Sequence, residues 1–185
     1  MRKLVDVTVV VLVAVIVAAA AAAAASPDLK AMTLHESDLP AGFDQQFSHP
    51  LPRTQVIVIQ GAVTHGYLGG WQREFTRVQG VNTAAATSSV LRYASADDAH
   101  RAVTRGWQHV LTKTGAKRLV VGRPLGSEAR AFAYQSGVLS AYTLIWRYKN
   151  VTATVLVVGL KSLGVTLDLA TRLAVKQQQR IREQT

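Results

Sequence analysis

The chain has 185 residues, a formal net charge of +10 and no cysteine. That length suits one domain with a sizeable core. The missing thiols exclude a disulfide framework, a thiolate metal site, a thiol nucleophile and a lipid-modified N-terminal cysteine. The basic excess favours anionic partners, although it speaks to association and solubility rather than to fold.

Residues 1–25 read as an export segment. Arg2 and Lys3 precede an apolar run from Val7 to Ala25, and Ala23 and Ala25 form an Ala-x-Ala site before Ser26. The run is also long enough to span a bilayer, so a retained membrane anchor through residues 7–25 is the alternative to a cleaved signal peptide. The weakly hydrophobic alanines favour cleavage. Either way the basic residues stay inside, so residues 26–185 are expected to form a single extracytoplasmic domain, secreted or tethered to the cytoplasmic membrane.

After Ser26 the spacing predicts a short extended piece at Lys30–Leu34 and a turn over Ser37–Gly42, with Phe43 plugging into the domain. Gln45–Pro52 reads as loop, because it holds two prolines and a histidine. Arg53–Gly66 is ambiguous. Val56–Ile59 suits a buried strand or a buried helix, and helix is the preferred reading. Strands follow at Trp71–Val78 and Ser88–Ala94. A helix over Ser95–Lys113 is capped by Ser95 and carries Asp97 and Asp98 in its first turn. Its stripe of Ala99, Ala102, Val103, Gly106, Trp107, Val110 and Leu111 is wide enough to cover a sheet. Strands at Lys117–Val121 and Glu128–Gln135 come next, then a hairpin, and a last helix runs from Thr166 to about Arg182.

The hairpin is Ala141–Gly159. A two-residue turn at Lys149-Asn150, with Asn150 tolerating positive φ, sets Tyr148 against Val151, Trp146 against Ala153, Leu144 against Val155 and Tyr142 against Val157. That face is a core wall, and the opposite one is mixed. A second turn at Ser136-Gly137 pairs Gln135 with Val138, and so Glu128 with Ile145 and Arg130 with Thr143. Tight turns make neighbouring strands antiparallel. The expected class is α+β, a mainly antiparallel sheet with two or three helices packed on one face.

No pattern names a reaction. His100 and His109 fall on opposite sides of their helix, no histidine cluster has metal-ligand spacing, and no serine sits in Gly-x-Ser-x-Gly. Neither glycine-rich stretch matches a phosphate-cradling loop. No catalytic residue, metal or cofactor is therefore expected. Nucleic acid is disfavoured by export. The arginines suit paired hydrogen bonds to carboxylate or phosphate, and the mixed sheet face gathers Arg130, Thr143, Arg147, Thr152 and Thr154 near Phe132 and Tyr134. Cations, hydroxyls and aromatic walls together suggest a site for a small anionic or amphipathic ligand; a sheet face washed by water is the plainer alternative. The expected function is an exported bacterial binding or sensor-type module without catalysis. Its alternative is an adaptor docking an envelope protein through the basic surface, and a third is an unrecognised hydrolase.

The stretch Ser37-Asp38-Leu39-Pro40-Ala41-Gly42-Phe43 resembles the DLPxGF opening of small exported bacterial proteins. Val120-Val121-Gly122, the strands after it and the helix from Thr166 are similar in layout to extracellular sensor domains of bacterial serine/threonine kinases, which also occur as lipoproteins. The chain departs from them in having neither a lipobox cysteine nor a kinase domain. The resemblance implies ligand or envelope binding without catalysis, and it transfers no binding residue.

Overall fold

The computed structural model describes residues 26–60 and 65–185; the expected export segment lies outside them. Seven antiparallel strands make one sheet, in the spatial order β1-β2-β3-β7-β6-β5-β4. They are β1 (Asp44–Pro50), β2 (Tyr67–Gln79), β3 (Asn82–Tyr93), β4 (Lys117–Leu119), β5 (Glu128–Ser136), β6 (Leu139–Tyr148) and β7 (Val151–Leu160). The helices are α1 (Arg53–Gln60), α2 (Ala96–Thr114) and α3 (Leu167–Glu183). The α+β class and the antiparallel sheet agree with the sequence, and residues 53–60 take the helical reading.

Two segments differ from expectation near the start. Lys30–Leu34 is not extended: the Asp28 carboxylate accepts the N–H groups of Lys30 and Ala31 at 2.9 and 3.2 Å, which closes a turn. Gln45–Pro50 is not loop but most of β1, paired with β2 through a bulge between Gln45 and Phe47. An edge strand tolerates Pro50 at its end, and its polar sequence carries no alternation to betray it. Phe43 is buried as expected.

The β6–β7 hairpin has the expected register, Trp146 against Ala153 and Tyr142 against Val157. The positive φ falls on Lys149, at 52°, while Asn150 Nδ2 donates to Tyr93 O at 2.7 Å. The β5–β6 turn is Gly137-Val138 rather than Ser136-Gly137, because Gly137 takes the left-handed conformation at φ 57°. The pairing therefore moves by two residues: Glu128 faces Arg147, Arg130 faces Ile145 and Phe132 faces Thr143. A two-residue move leaves every side chain on its expected face.

The largest correction concerns the helices, which cover both faces of the sheet rather than one. Thr166 caps α3 by accepting the Leu169 N–H at 3.1 Å. Leu169, Ala170, Leu173, Ala174 and Ile181 of α3 then join Leu144, Trp146, Val155 and Val157 in the main core, with Met32, Leu34 and Phe43 from the N-terminal segment. Helix α2, capped by Ser95 and ended by Gly115 at φ 64°, lies across the other face. There Ala99 and Ala102 pack with Leu91, Tyr93, Leu51 and Val56 of α1 in a second cluster. The reason is legible in β7, whose run from Val151 to Val158 is apolar or threonine on both sides. Such a strand sits in the middle of a sheet and needs cover above and below.

Candidate functional site

The face that carries Arg130, Thr143, Arg147, Thr152 and Thr154 lies beneath α2. Where helix and sheet part, they leave a partly enclosed cavity of about 170 Å³. Thr143, Ile145, Thr152, Thr154 and Leu156 form its floor, extended by Thr87 and Ser89 of β3 and Gln72 of β2. Ala102, Val103, Gly106 and Val110 of α2 form its roof. The space exists because Ala102 and Gly106, one helical turn apart, leave room in the roof: a methyl added at Gly106 would meet no neighbouring side chain or strand within 4 Å. The lining holds hydroxyls, the Gln72 amide and aliphatic groups, and no charged side chain.

Of the seven residues expected from sequence, Thr143, Thr152 and Thr154 line this cavity. Phe132 and Tyr134 stand beside it. They border an open groove of about 450 Å³ that shares Val110, Thr143 and Leu156 with the cavity and continues it past Ala116 and Ala141. Arg130 and Arg147 line neither. Arg130 Nη1 donates to Ala129 O at 2.9 Å, and Arg147 donates from Nε to Glu128 Oε1 at 2.7 Å and from Nη1 to Lys149 O at 3.2 Å.

Sequence reasoning missed Gln72, Thr87, Ser89 and the roof residues. The signal for Thr87 and Ser89 was present, since they alternate with Leu91 on one face of β3. That face meets the Thr152–Leu156 side of β7 through the pairs Thr87–Leu156, Ser89–Thr154 and Leu91–Thr152. A strand read only from Ser88 hides the first of these. The roof residues are legible as an apolar stripe, but the expectation of helices on one face alone does not put them over the threonines.

Two histidines stand beside carboxylates, the arrangement that would revive a hydrolytic reading if it lay in a cleft. His65 Nδ1 lies 2.7 Å from Asp98 Oδ1, and His100 Nδ1 lies 2.9 Å from Glu128 Oε1. Both rings are largely exposed, at 76% and 56%, and neither borders the cavity or the groove. Ser95 donates to Asp98 Oδ2 and accepts the Asp98 N–H, which is a helix cap rather than a nucleophile held by a base. Hydrogen bonds from Ser95, His65 and Arg101 hold the Asp98 carboxyl well below the usual carboxylate range. Among the described residues no group of three acidic or histidine side chains could hold a metal ion. Among them, too, no helix is long and apolar enough to cross a membrane.

The fold is thus a seven-stranded antiparallel sheet held between helices, with ligand-sized space under one of them. No protein-family model matches the chain, and no curated protein matches it either. In structure it is similar to the extracellular domain of PknH from Mycobacterium tuberculosis, a serine/threonine kinase, with a TM-score of 0.62 at 14% sequence identity. The match covers 85% of this chain and 98% of that domain. At such identity the likeness is one of fold, and it agrees with the sensor-domain layout expected from the sequence.

Proposed function

We propose that residues 26–185 are a non-catalytic, extracytoplasmic binding module of the sensor type, taking a small amphipathic molecule between α2 and the sheet. The observation that carries this reading is the cavity. Its volume of about 170 Å³ is near the ~150 Å³ that accommodates a benzene ring in an apolar protein interior, so it takes a ring or a short alkyl segment. Threonine hydroxyls on the floor orient a polar group, and the groove past Phe132 and Tyr134 accepts the rest of a longer ligand. An uncharged lining disfavours a buried anion, which narrows the ligand to the amphipathic class. The export pattern of residues 1–25 and the fold shared with an extracellular domain support the location. An adaptor docking through basic surface has less support, because Arg101, Arg147, Arg172 and Arg180 are each paired with a carboxylate.

The test is thermal unfolding of the protein in straight-chain alcohols from hexanol to decanol. The wild type should gain Tm with increasing chain length, and Gly106→Leu, which fills the cavity from its roof, should lose most of that gain. A wild type that no alcohol stabilises, or a variant that responds as the wild type does, would overturn the reading.

A further inference from the structure

On the opposite face, beneath the N-terminal segment, Arg73 of β2 is 6% exposed and, among the described residues, has no carboxylate partner. Its Nη1 donates to Leu34 O at 2.9 Å, and its Nε is buried without any acceptor. The two acids whose charge acts on it are committed elsewhere. Asp38 binds Arg180 at 2.9 Å and the His35 N–H at 2.8 Å, while Asp28 accepts the N–H groups of Lys30 and Ala31. A buried guanidinium left without an anion is costly, so such a group is expected to be completed by one.

Arg73 lines an open depression of about 480 Å³ together with Lys30, His35, Gln45 and Ser48. Ser48 Oγ accepts the Trp71 Nε1–H at 3.0 Å, which leaves its own proton free to donate outward. Glu36 is the one acid on the rim, and it accepts the Gln45 N–H at 3.2 Å. Lys30 sits with Nζ 5.6 Å from the Trp71 ring, anchored yet exposed. Burial lowers the pKa of both His35 and Arg73; the charges of Arg73 and Arg180 lower His35 further and that of Arg180 lowers Arg73, against a smaller opposing effect of Asp38 on both and of Asp28 on Arg73.

We propose that this depression is a second ligand site, independent of the cavity under α2, and that it binds a phosphate group through Arg73, Lys30 and Ser48. A guanidinium offers N–H donors in a fork that fits a tetrahedral oxyanion, and an ammonium and a hydroxyl supply donors from other directions. The phosphate comes either free in solution or on the headgroup of an anionic lipid.

The test titrates the protein with inorganic phosphate by calorimetry and thermal unfolding, against chloride at matched ionic strength. In parallel the protein is sedimented with phosphatidylglycerol vesicles and with phosphatidylcholine vesicles. Because Arg73→Gln removes a buried residue and can compromise folding, the informative variant is Lys30→Gln, with Lys161→Gln as a charge-matched control outside the depression. Saturable binding that Lys30→Gln weakens roughly ten-fold and Lys161→Gln leaves alone upholds the site. The source is a lipid headgroup if only phosphatidylglycerol vesicles show that pattern, and a soluble phosphate if only inorganic phosphate does. A shift of the Arg73 Nε resonance on addition of the binding partner is expected in the same sample. Failure of the wild type to bind either probe beyond the chloride effect, or an equal response from Lys30→Gln, overturns the proposal.

Discussion

Arg147 donates from Nε to Glu128 Oε1 at 2.7 Å, and the two residues face each other across the β5–β6 ladder. Both side chains are mostly out of water, and His100 of α2 meets the same carboxylate at 2.9 Å, so one acid ties the hairpin to the helix above it. Arg147 thus serves the fold, although its residue type pointed to a ligand. Arg147→Ala should cost about 1–3 kcal/mol in urea unfolding, since it leaves a largely buried carboxylate short of a partner. The same variant should keep the alcohol-induced rise in Tm, because the cavity lining is untouched.

Acid should unfold the domain by a route set by the same carboxylate. Burial raises the Glu128 pKa, but the hydrogen bonds from His100 and Arg147 outweigh it and leave the group below its ordinary 4.5. Asp98 is depressed in the same sense. The unfolded chain therefore takes up these protons more readily than the folded one. The stability they contribute is fully present above about pH 4.5 and is lost as pH falls below it. Urea midpoints measured between about pH 7 and pH 3 should decline on the acid side, and Glu128→Gln should flatten part of that decline. A midpoint independent of pH over that range would contradict the assignment.

Two glycine-to-alanine substitutions should have opposite signs. Gly106 is mid-helix in α2 with nothing within 4 Å of an added methyl, so Gly106→Ala should stabilise by about 0.5–1 kcal/mol through backbone entropy. Gly126 has φ 56°, and an added methyl would lie 1.9 Å from Arg147 O, the acceptor of the Ser127 N–H. Gly126→Ala should destabilise by at least about 1–3 kcal/mol, by strain and by pushing the loop off the hairpin. Thermal and urea unfolding of the pair, run side by side, decide both.

A polar pin in the main core gives a further prediction. Ser88 Oγ donates to Gln177 Oε1 at 3.0 Å, Gln177 Nε2 donates to Ser89 O at 3.0 Å, and Ser88 Oγ accepts the Leu34 N–H at 2.9 Å. Gln177 is fully buried, so Gln177→Leu strands a hydroxyl and a carbonyl and should cost about 2 kcal/mol or more. The cost should exceed that of Gln179→Leu one half-turn away, where the side chain is exposed. Equal urea midpoints for the two variants would mean that the pin contributes nothing.

What the sequence determined by itself was local. Alternation along Tyr142–Tyr148 and Val151–Val157 sorted side chains to two faces, and Ser95 and Thr166 marked two helix starts. The Lys149-Asn150 turn set one register. These features depend on neighbours a few residues apart, so a single chain read in order contains them. The tertiary structure decided what lies across from what. Pairing of β3 with β7 joined residues from 59 (Arg92 and Val151) to 73 (Ala85 and Val158) positions apart, it laid Thr87 and Ser89 beside Thr154 and Leu156, and α2 closed over them as a roof. The same long-range packing buried Arg73 under Leu34 and gave Arg147 to Glu128. Charge and hydrogen-bonding capacity are written in residue type, but whether a partner or a ligand satisfies them depends on which surfaces the folded chain brings into contact.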